Sequence, residues 1–161
     1  MSQQANSLES WLAFLGQAEI PVLRQTAREI ERQRADEAQL NARDIAEVVD
    51  DDPLLTVKLL RYLQGHKHQH QSYELVDVKQ ALLMMGLETF FREVPAAPLA
   101  EDVLKDHPQA LLHLLQTVRR AQRAAYFAYD WAVRLHDLHA DEVYVSALLG
   151  HLSEMLMWCF N

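Results

Sequence analysis

Three consecutive carboxylates followed by a proline constrain this chain more than any other feature. Residues 45–52 begin as an apolar helical pattern and end in Asp50, Asp51 and Asp52, directly before Pro53. An aspartate can accept hydrogen bonds from the free N–H groups that open a helix, and proline suits the first helical position because no N–H is needed there. The pattern predicts that one helix ends here and that Asp52 caps a second helix beginning at Pro53. Asp50 and Asp51 are expected mainly to add charge near that positive helix end.

Apolar residues repeat with helical spacing after this junction. Leu55, Leu59 and Leu63 recur every fourth residue, so they share one face of the helix that begins at Pro53. The chain has 26 leucines, 3 isoleucines and 4 glycines, which favours helices because β-branched residues are the better strand formers. We therefore predict an all-α fold.

Capping residues and prolines mark the expected ends of the other helices. Ser7 is expected to cap a first helix that ends at Gly16, Pro21 to open a second, and Asn41 to begin a third. The side chains that the first helix is expected to bury are Leu8, Trp11, Leu12 and Leu15. Further helices are expected from Asp77 to a left-handed glycine cap at Gly86, over 87–94, from Pro108 through Trp131, and from Asp141 past Met155. Two prolines within residues 95–98 make this segment the best internal boundary.

Two segments resemble one protein family in particular. Asp52–Leu60 reads Asp-Pro-Leu-Leu-Thr-Val-Lys-Leu-Leu, and Lys79–Leu87 reads Lys-Gln-Ala-Leu-Leu-Met-Met-Gly-Leu. Both resemble, almost position for position, the motifs of the HDOD family, the HD-related output domains of bacterial signalling proteins. Ile20-Pro21 is similar to the Leu-Pro that commonly opens the domain. The resemblance runs from about Ile20 to the last residue.

This resemblance implies a particular domain organisation. Residues 1–94 would form the N-terminal helical bundle of an HDOD-like domain, and residues 99–161 a degenerate HD-like helical subdomain. Because family members usually continue for several more helices, we expect this second subdomain to be truncated.

The resemblance also bears on catalysis, because the related HD enzymes hold metal ions with a helix-borne His, a His-Asp pair and a later Asp. Imidazole and carboxylate groups of this kind polarise water against a phosphate. In this chain Gly150 stands at the position of the paired His and His151 at that of the Asp. Arg119 or Arg120 stands where the first His is usual, and His113 lies about two helical turns too early. We therefore expect no catalytic residue, no metal ligand and no cofactor site.

Two other histidine groups are candidate metal sites. His136-Asp137 is a literal His-Asp pair with His139 and Asp141 nearby, but ligands so close in sequence rarely complete a tetrahedral shell. The favoured interpretation is that both histidines interact with the end of the long helix while Asp141 caps the next one. The second group, in a loop expected to be solvated, comprises His66, His68 and His70. Weak metal binding or a partner contact are the alternatives for that loop.

Charge and composition limit which kinds of partner, location and chemistry the sequence allows. The net charge of −8 argues against a nucleic-acid surface, although Arg119, Arg120 and Arg123 form a modest basic patch. No uninterrupted apolar run of membrane-spanning length is apparent. The single Cys159 fits a reducing cytoplasm and is expected to fill space beside Trp158 and Phe160. It has no convincing His partner for nucleophilic catalysis.

The predicted function is a non-catalytic output or scaffold domain of a bacterial signalling pathway, acting in the cytoplasm through contacts with protein partners. Neither membrane nor nucleic acid is expected as a partner. The alternatives left open are a metal-dependent HD-type phosphohydrolase and a sensor whose degenerate pocket still binds a nucleotide. The partner, the pathway and the oligomeric state do not follow from the sequence.

Overall fold

A computed structural model describes residues 8–35, 41–65, 78–93 and 97–160. Within these ranges the regular secondary structure is helical, and the one β contact is an isolated bridge, so the all-α prediction is confirmed. The α-helices in the first half are Leu8–Gln17 (α1), Arg24–Ala35 (α2), Ala42–Asp50 (α3), Pro53–Gly65 (α4), Val78–Met85 (α5) and Leu87–Glu93 (α6). Those that follow are Ala100–Val103 (α7), Pro108–Arg134 (α8), Ala140–Leu148 (α9) and Leu152–Phe160 (α10).

The first two helices depart from the prediction. Helix α1 ends at Gln17 rather than at Gly16, and it has no buried residue. Leu8 and Leu12, both expected inside, are mostly exposed, while Trp11 and Leu15 are half-buried. Helix α2 begins at Arg24 rather than at Pro21. The three residues after Ile20 instead run extended, because Val22 pairs with another part of the backbone.

Two local signals in the sequence were interpreted correctly. The Asn41 side chain accepts hydrogen bonds from the N–H groups of Arg43 and Asp44, at 2.9 and 3.0 Å, and so caps α3. Gly86 adopts a φ of 79°, the left-handed conformation that favours glycine, and its N–H donates to the carbonyl of Leu82. Ser7, Asp77, Val94 and Pro95 lie outside the described residues.

Helix α4 lies between two apolar cores. Leu55, Leu59 and Leu63 pack into the first core, as predicted, with residues of α2, α3, α5 and α6. Leu54, on the other side of α4, packs into the second core, which α8, α9 and α10 complete. Ile20 belongs to the second core too, so residues from both ends of the sequence share it.

A short backbone pairing joins the segment before α2 to the segment before α7. Val22 N–H donates to the carbonyl of Pro98 at 2.9 Å, and Ala100 N–H donates to the carbonyl of Val22 at 2.9 Å. Val22 is 1% exposed, so this pairing is shielded from water.

The C-terminal helices α9 and α10 pack against α8. Helix α8 spans the predicted range, but the expected single helix after Asp141 is divided by a 3₁₀ turn at Leu149–His151. The stretch Ala140–Phe160 is long and apolar enough to cross a membrane by length and composition, although His151 and Glu154 interrupt its apolar run. A core helix has the same composition, and here Leu148, Met155 and Cys159 are buried in the second core.

Candidate functional site

The Asp52 carboxylate accepts hydrogen bonds from three backbone N–H groups in two segments of the chain. Its Oδ1 accepts from the N–H groups of Leu54 and Leu55, at 2.9 and 3.1 Å, which confirms the predicted cap of α4. Its Oδ2 accepts from the N–H of Leu23 at 3.1 Å, a contact between residues 29 apart that the sequence did not indicate. Asp52 is completely buried. The residue is therefore both a helix cap and the link between α4 and the entry to α2.

Burial and hydrogen bonding shift the pKa of the Asp52 carboxyl group in opposite directions. Desolvation raises the pKa of Asp52, and the N–H donors of Leu23, Leu54 and Leu55, with the side chain of Thr26, oppose that rise. Directed donors, rather than a countercharge, thus offset part of the cost of burying this carboxyl group in its ionised form.

Asp51 also does more than the sequence predicted, because it contacts α8. Its Oδ1 accepts from the Tyr126 hydroxyl at 2.7 Å, and its backbone carbonyl accepts from Gln122 Nε2 at 2.6 Å. The hydrogen bond to Asp51 is the main cause that raises the pKa of Tyr126. The Tyr144 hydroxyl donates to the Asp50 carbonyl at 3.3 Å. The expectation that Asp51 mainly adds charge was therefore wrong, whereas the same expectation for the Asp50 carboxylate stays a prediction.

Tyrosine rings and carboxylates line a cavity of about 450 Å³ beside this junction. The ring of Tyr144 meets the rings of Tyr126 and Tyr129 edge to face, with centroids 5.6 and 6.3 Å apart. The carboxylates on its wall are Glu47, Asp50, Asp51 and Asp141. A second cavity of about 400 Å³, between α2 and α3, shares Glu47 and Asp51 with the first. We call the two adjoining cavities the acidic trough.

Sequence reasoning missed this trough because its residues come from four helices. Tyr126 and Tyr129 are three residues apart and so lie on the same face of α8, which is the one signal that could have been found. Their proximity to the aspartates of the α3–α4 junction required the fold.

The position expected to correspond to the HD metal site holds an ion pair instead. Arg120 Nη2 lies 2.7 Å from Glu154 Oε2, and Thr117 Oγ1 lies 3.0 Å from Glu154 Oε1. The pKa of Glu154 is lowered mainly by its hydrogen bond with the Thr117 hydroxyl and, to a smaller extent, by Arg120. Gly150 and His151 form the 3₁₀ turn beside this pair, with His151 Nδ1 3.9 Å from Glu154 Oε2.

The other histidines of the described residues have ordinary contacts. The ring of His113 stacks on Trp158 at 4.8 Å, so it takes part in packing. His136 adopts a φ of 58° at the end of α8. Asp137 accepts from the N–H of His139 at 2.9 Å. Asp141 was wrongly expected to cap α9: the cap position is His139, and Asp141 lies in the first turn.

No group of three or more His, Cys, Asp or Glu side chains in the described ranges could hold a metal ion. The loop with His66, His68 and His70 lies outside those ranges. Cys159 is buried as expected, and burial raises its pKa to about 12.

One flank of α8 exposes large apolar side chains. Phe127, Trp131 and Leu135 are four residues apart, which places them on one face of the helix, and they are 70%, 68% and 75% exposed. We call this row the α8 ridge. Leu138, just beyond the helix, is also exposed.

Comparison with known proteins agrees with the motifs around Asp52 and Gly86. Neither the curated proteins nor the solved structures gave a match. The family model described as the HDOD domain matches residues 20–161, which is most of the chain. The chain therefore belongs to the HDOD domain family.

Proposed function

We propose that this HDOD domain is a non-catalytic output or scaffold module of a bacterial signalling pathway, working in the cytoplasm through contacts with protein partners. The observation that carries the proposal is the α8 ridge. Large apolar side chains arranged contiguously on a surface are a feature of protein interaction sites. Aromatic residues such as Phe127 and Trp131 are also the usual energetic centres of interfaces.

The contacts of Arg120 support the non-catalytic part of the proposal. Arg120 and Glu154 pair where a metal-dependent relative would have its ligands, and a fixed cation at that place disfavours a divalent ion by charge repulsion. Gly150 has no side chain to offer. The phosphohydrolase alternative therefore finds little support in the donor set of the described residues.

The interaction is tested by site-specific photo-crosslinking in bacterial cells. A photoreactive phenylalanine analogue at Phe127 should give a discrete adduct with another protein. The adduct should be lost when Trp131→Ala is added. The matched control places the same analogue at Gln116, which is exposed on the same helix but outside the α8 ridge. Equal adducts from both positions, or none from Phe127, would contradict the proposal.

Catalysis is tested on the purified protein. Cyclic dinucleotides incubated with the protein and Mn²⁺ should not be hydrolysed above the rate of a His151→Ala control. Turnover by the unaltered protein that clearly exceeds this control would establish an enzyme and refute the non-catalytic assignment.

A further inference from the structure

We infer that the acidic trough receives an arginine-containing, extended segment of a partner protein. The inference goes beyond the proposed function by giving the chemistry of one partner contact. It concerns a surface separate from the α8 ridge.

The walls of the trough favour a cation. Carboxylates from α2, α3, the α3–α4 junction and α9 face it, and among the described residues no lysine or arginine lines either cavity. Glu29, on the α2 side, pairs with the exposed Arg32. Arg43 lies 3.6 Å from Glu47, but both side chains of that pair are more than two-thirds exposed, so solvent screens the interaction. Carboxylates held near one another repel, and a bound cation would relieve that repulsion.

The three tyrosine rings favour a cation that can also stack. The face of an aromatic ring attracts a guanidinium or ammonium group within about 6 Å of its centroid. Arginine is the better match, because its planar group stacks on rings and also donates to carboxylates in a fixed geometry. Tyr129 is 39% exposed, so its ring is accessible to such a ligand.

A buried amide oxygen provides a separate indication of a hydrogen-bond donor. Gln33 lines the part of the trough between α2 and α3, and its Oε1 atom is buried without a hydrogen-bond partner among the described residues. Such an oxygen is costly to leave unpaired, and rotation of the partly buried Gln33 side chain into the trough would let a peptide N–H or a guanidinium donate to it.

The shape of the trough indicates a chain segment rather than a single small ion. Its two cavities, about 400 and 450 Å³, adjoin at Glu47 and Asp51 and extend from α2 across α3 to α8. Gln25 and Gln122 add side-chain amides to the wall, and such groups can pair with the backbone of an extended peptide.

Fluorescence anisotropy with labelled peptides of alternating serine and arginine tests the inference. The full chain should bind the arginine peptide and should bind a serine–glutamate peptide of equal length far more weakly. Tyr129→Leu and Asp141→Asn should each weaken arginine-peptide binding about tenfold, through loss of a ring face and of a carboxylate respectively. Both residues lie on the surface of the trough, and unchanged urea midpoints would show that the variants remain folded.

Asp106→Asn is the matched control, because it removes the same charge from an exposed position at the other end of α8. Helical rise places it about 30 Å from Tyr126. It should change the affinity by less than about twofold. Amide shifts in the NMR spectrum of the complex should concentrate in 25–33, 44–51 and 122–144.

Three results would overturn the inference. One is an equal loss of affinity in Asp106→Asn and Asp141→Asn, which would indicate attraction to net charge alone. Another is the absence of arginine-peptide binding below about 1 mM. The third is spermidine binding tighter than the peptide, which would indicate a small polyamine as the occupant. None of these outcomes changes the crosslink expected at Phe127, so the two proposals fail separately.

Discussion

Replacing Asp52 by alanine should destabilise the protein more than the loss of an ordinary helix cap. The two N–H groups at the start of α4 would lose their acceptor, which costs about 0.5–2 kcal/mol. The Leu23 N–H would remain buried without an acceptor, at about 1–3 kcal/mol. The sum is about 1.5–5 kcal/mol, and relief from burying a charge favours the lower half of this range.

Asp52→Asn separates the two roles of the carboxylate. The asparagine oxygen can still accept from Leu54 and Leu55, whereas its NH₂ group cannot accept from the Leu23 N–H. This variant should therefore lose about 1–3 kcal/mol while retaining the cap. Asp51→Ala, which removes an exposed hydrogen bond with Tyr126, should cost about 0.5–1.5 kcal/mol.

Urea unfolding of the three variants, in low and in high salt, measures these losses. Salt should reduce the Asp51→Ala effect and leave the buried Asp52 effects nearly unchanged. The reasoning is refuted if Asp52→Asn costs less than about 0.5 kcal/mol, the range of surface substitutions, because the Leu23 contact would then contribute little. A larger loss at Asp51 than at Asp52 would show that the cap has been assigned to the wrong aspartate.

Four further predictions use the same structure. Because the pKa of Asp52 is raised by burial, the folded state binds its proton more tightly than the unfolded state does. The unaltered protein should thus lose part of its stability advantage over Asp52→Asn as the pH rises above 3.8. Urea midpoints measured over a pH series check this, and an advantage that grows with pH would mean that the pKa of Asp52 is not raised. Leu59→Ala should cost about 2–5 kcal/mol in urea unfolding, whereas Leu83→Ala, at an exposed position, should cost less than about 0.5 kcal/mol. The Cys159 thiol, with its pKa raised to about 12, should react with a coloured disulfide reagent only at the rate of unfolding, and rapid labelling of the native protein would show an accessible thiolate. Asp51→Ala and Tyr126→Phe should be coupled by about 0.5–1.5 kcal/mol in a double-mutant cycle of unfolding free energies, and additive losses would mean that their hydrogen bond does not contribute.

Local chemistry explains which parts of the fold could be predicted. The caps at Asn41, Asp52 and Gly86 depend on a few neighbouring residues, so short sequence patterns contain the necessary information. The spacing of Leu55, Leu59 and Leu63 similarly determines which face of α4 is buried. These features do not depend on how distant segments are arranged.

The errors arose where a distant segment decides the local structure. Pro21 looked like a helix start, but the backbone of Val22 pairs with Pro98 and Ala100, which keeps this segment extended. Leu8 and Leu12 have helical spacing, yet no described element covers them.

The acidic trough and the Arg120–Glu154 pair could not be predicted either, because each is formed by residues far apart in the sequence. Tyr144 and Asp51 are separated by 93 positions in the sequence, so the acidic trough could not be assembled from spacing alone. The Arg120–Glu154 pair likewise joins two helices. The sequence showed which residues replace the metal ligands of the related HD enzymes, but not that Arg120 and Glu154 contact each other.

The pairing of Val22 with the segment before α7 has a consequence for folding kinetics. Helices usually form quickly because their contacts are local, and helical proteins are therefore among the fast folders. Here a buried backbone contact joins residues more than 70 positions apart, so a large loop must close before the entry to α2 is in place. We expect the closure of this loop to slow folding relative to a helical bundle whose contacts are all local.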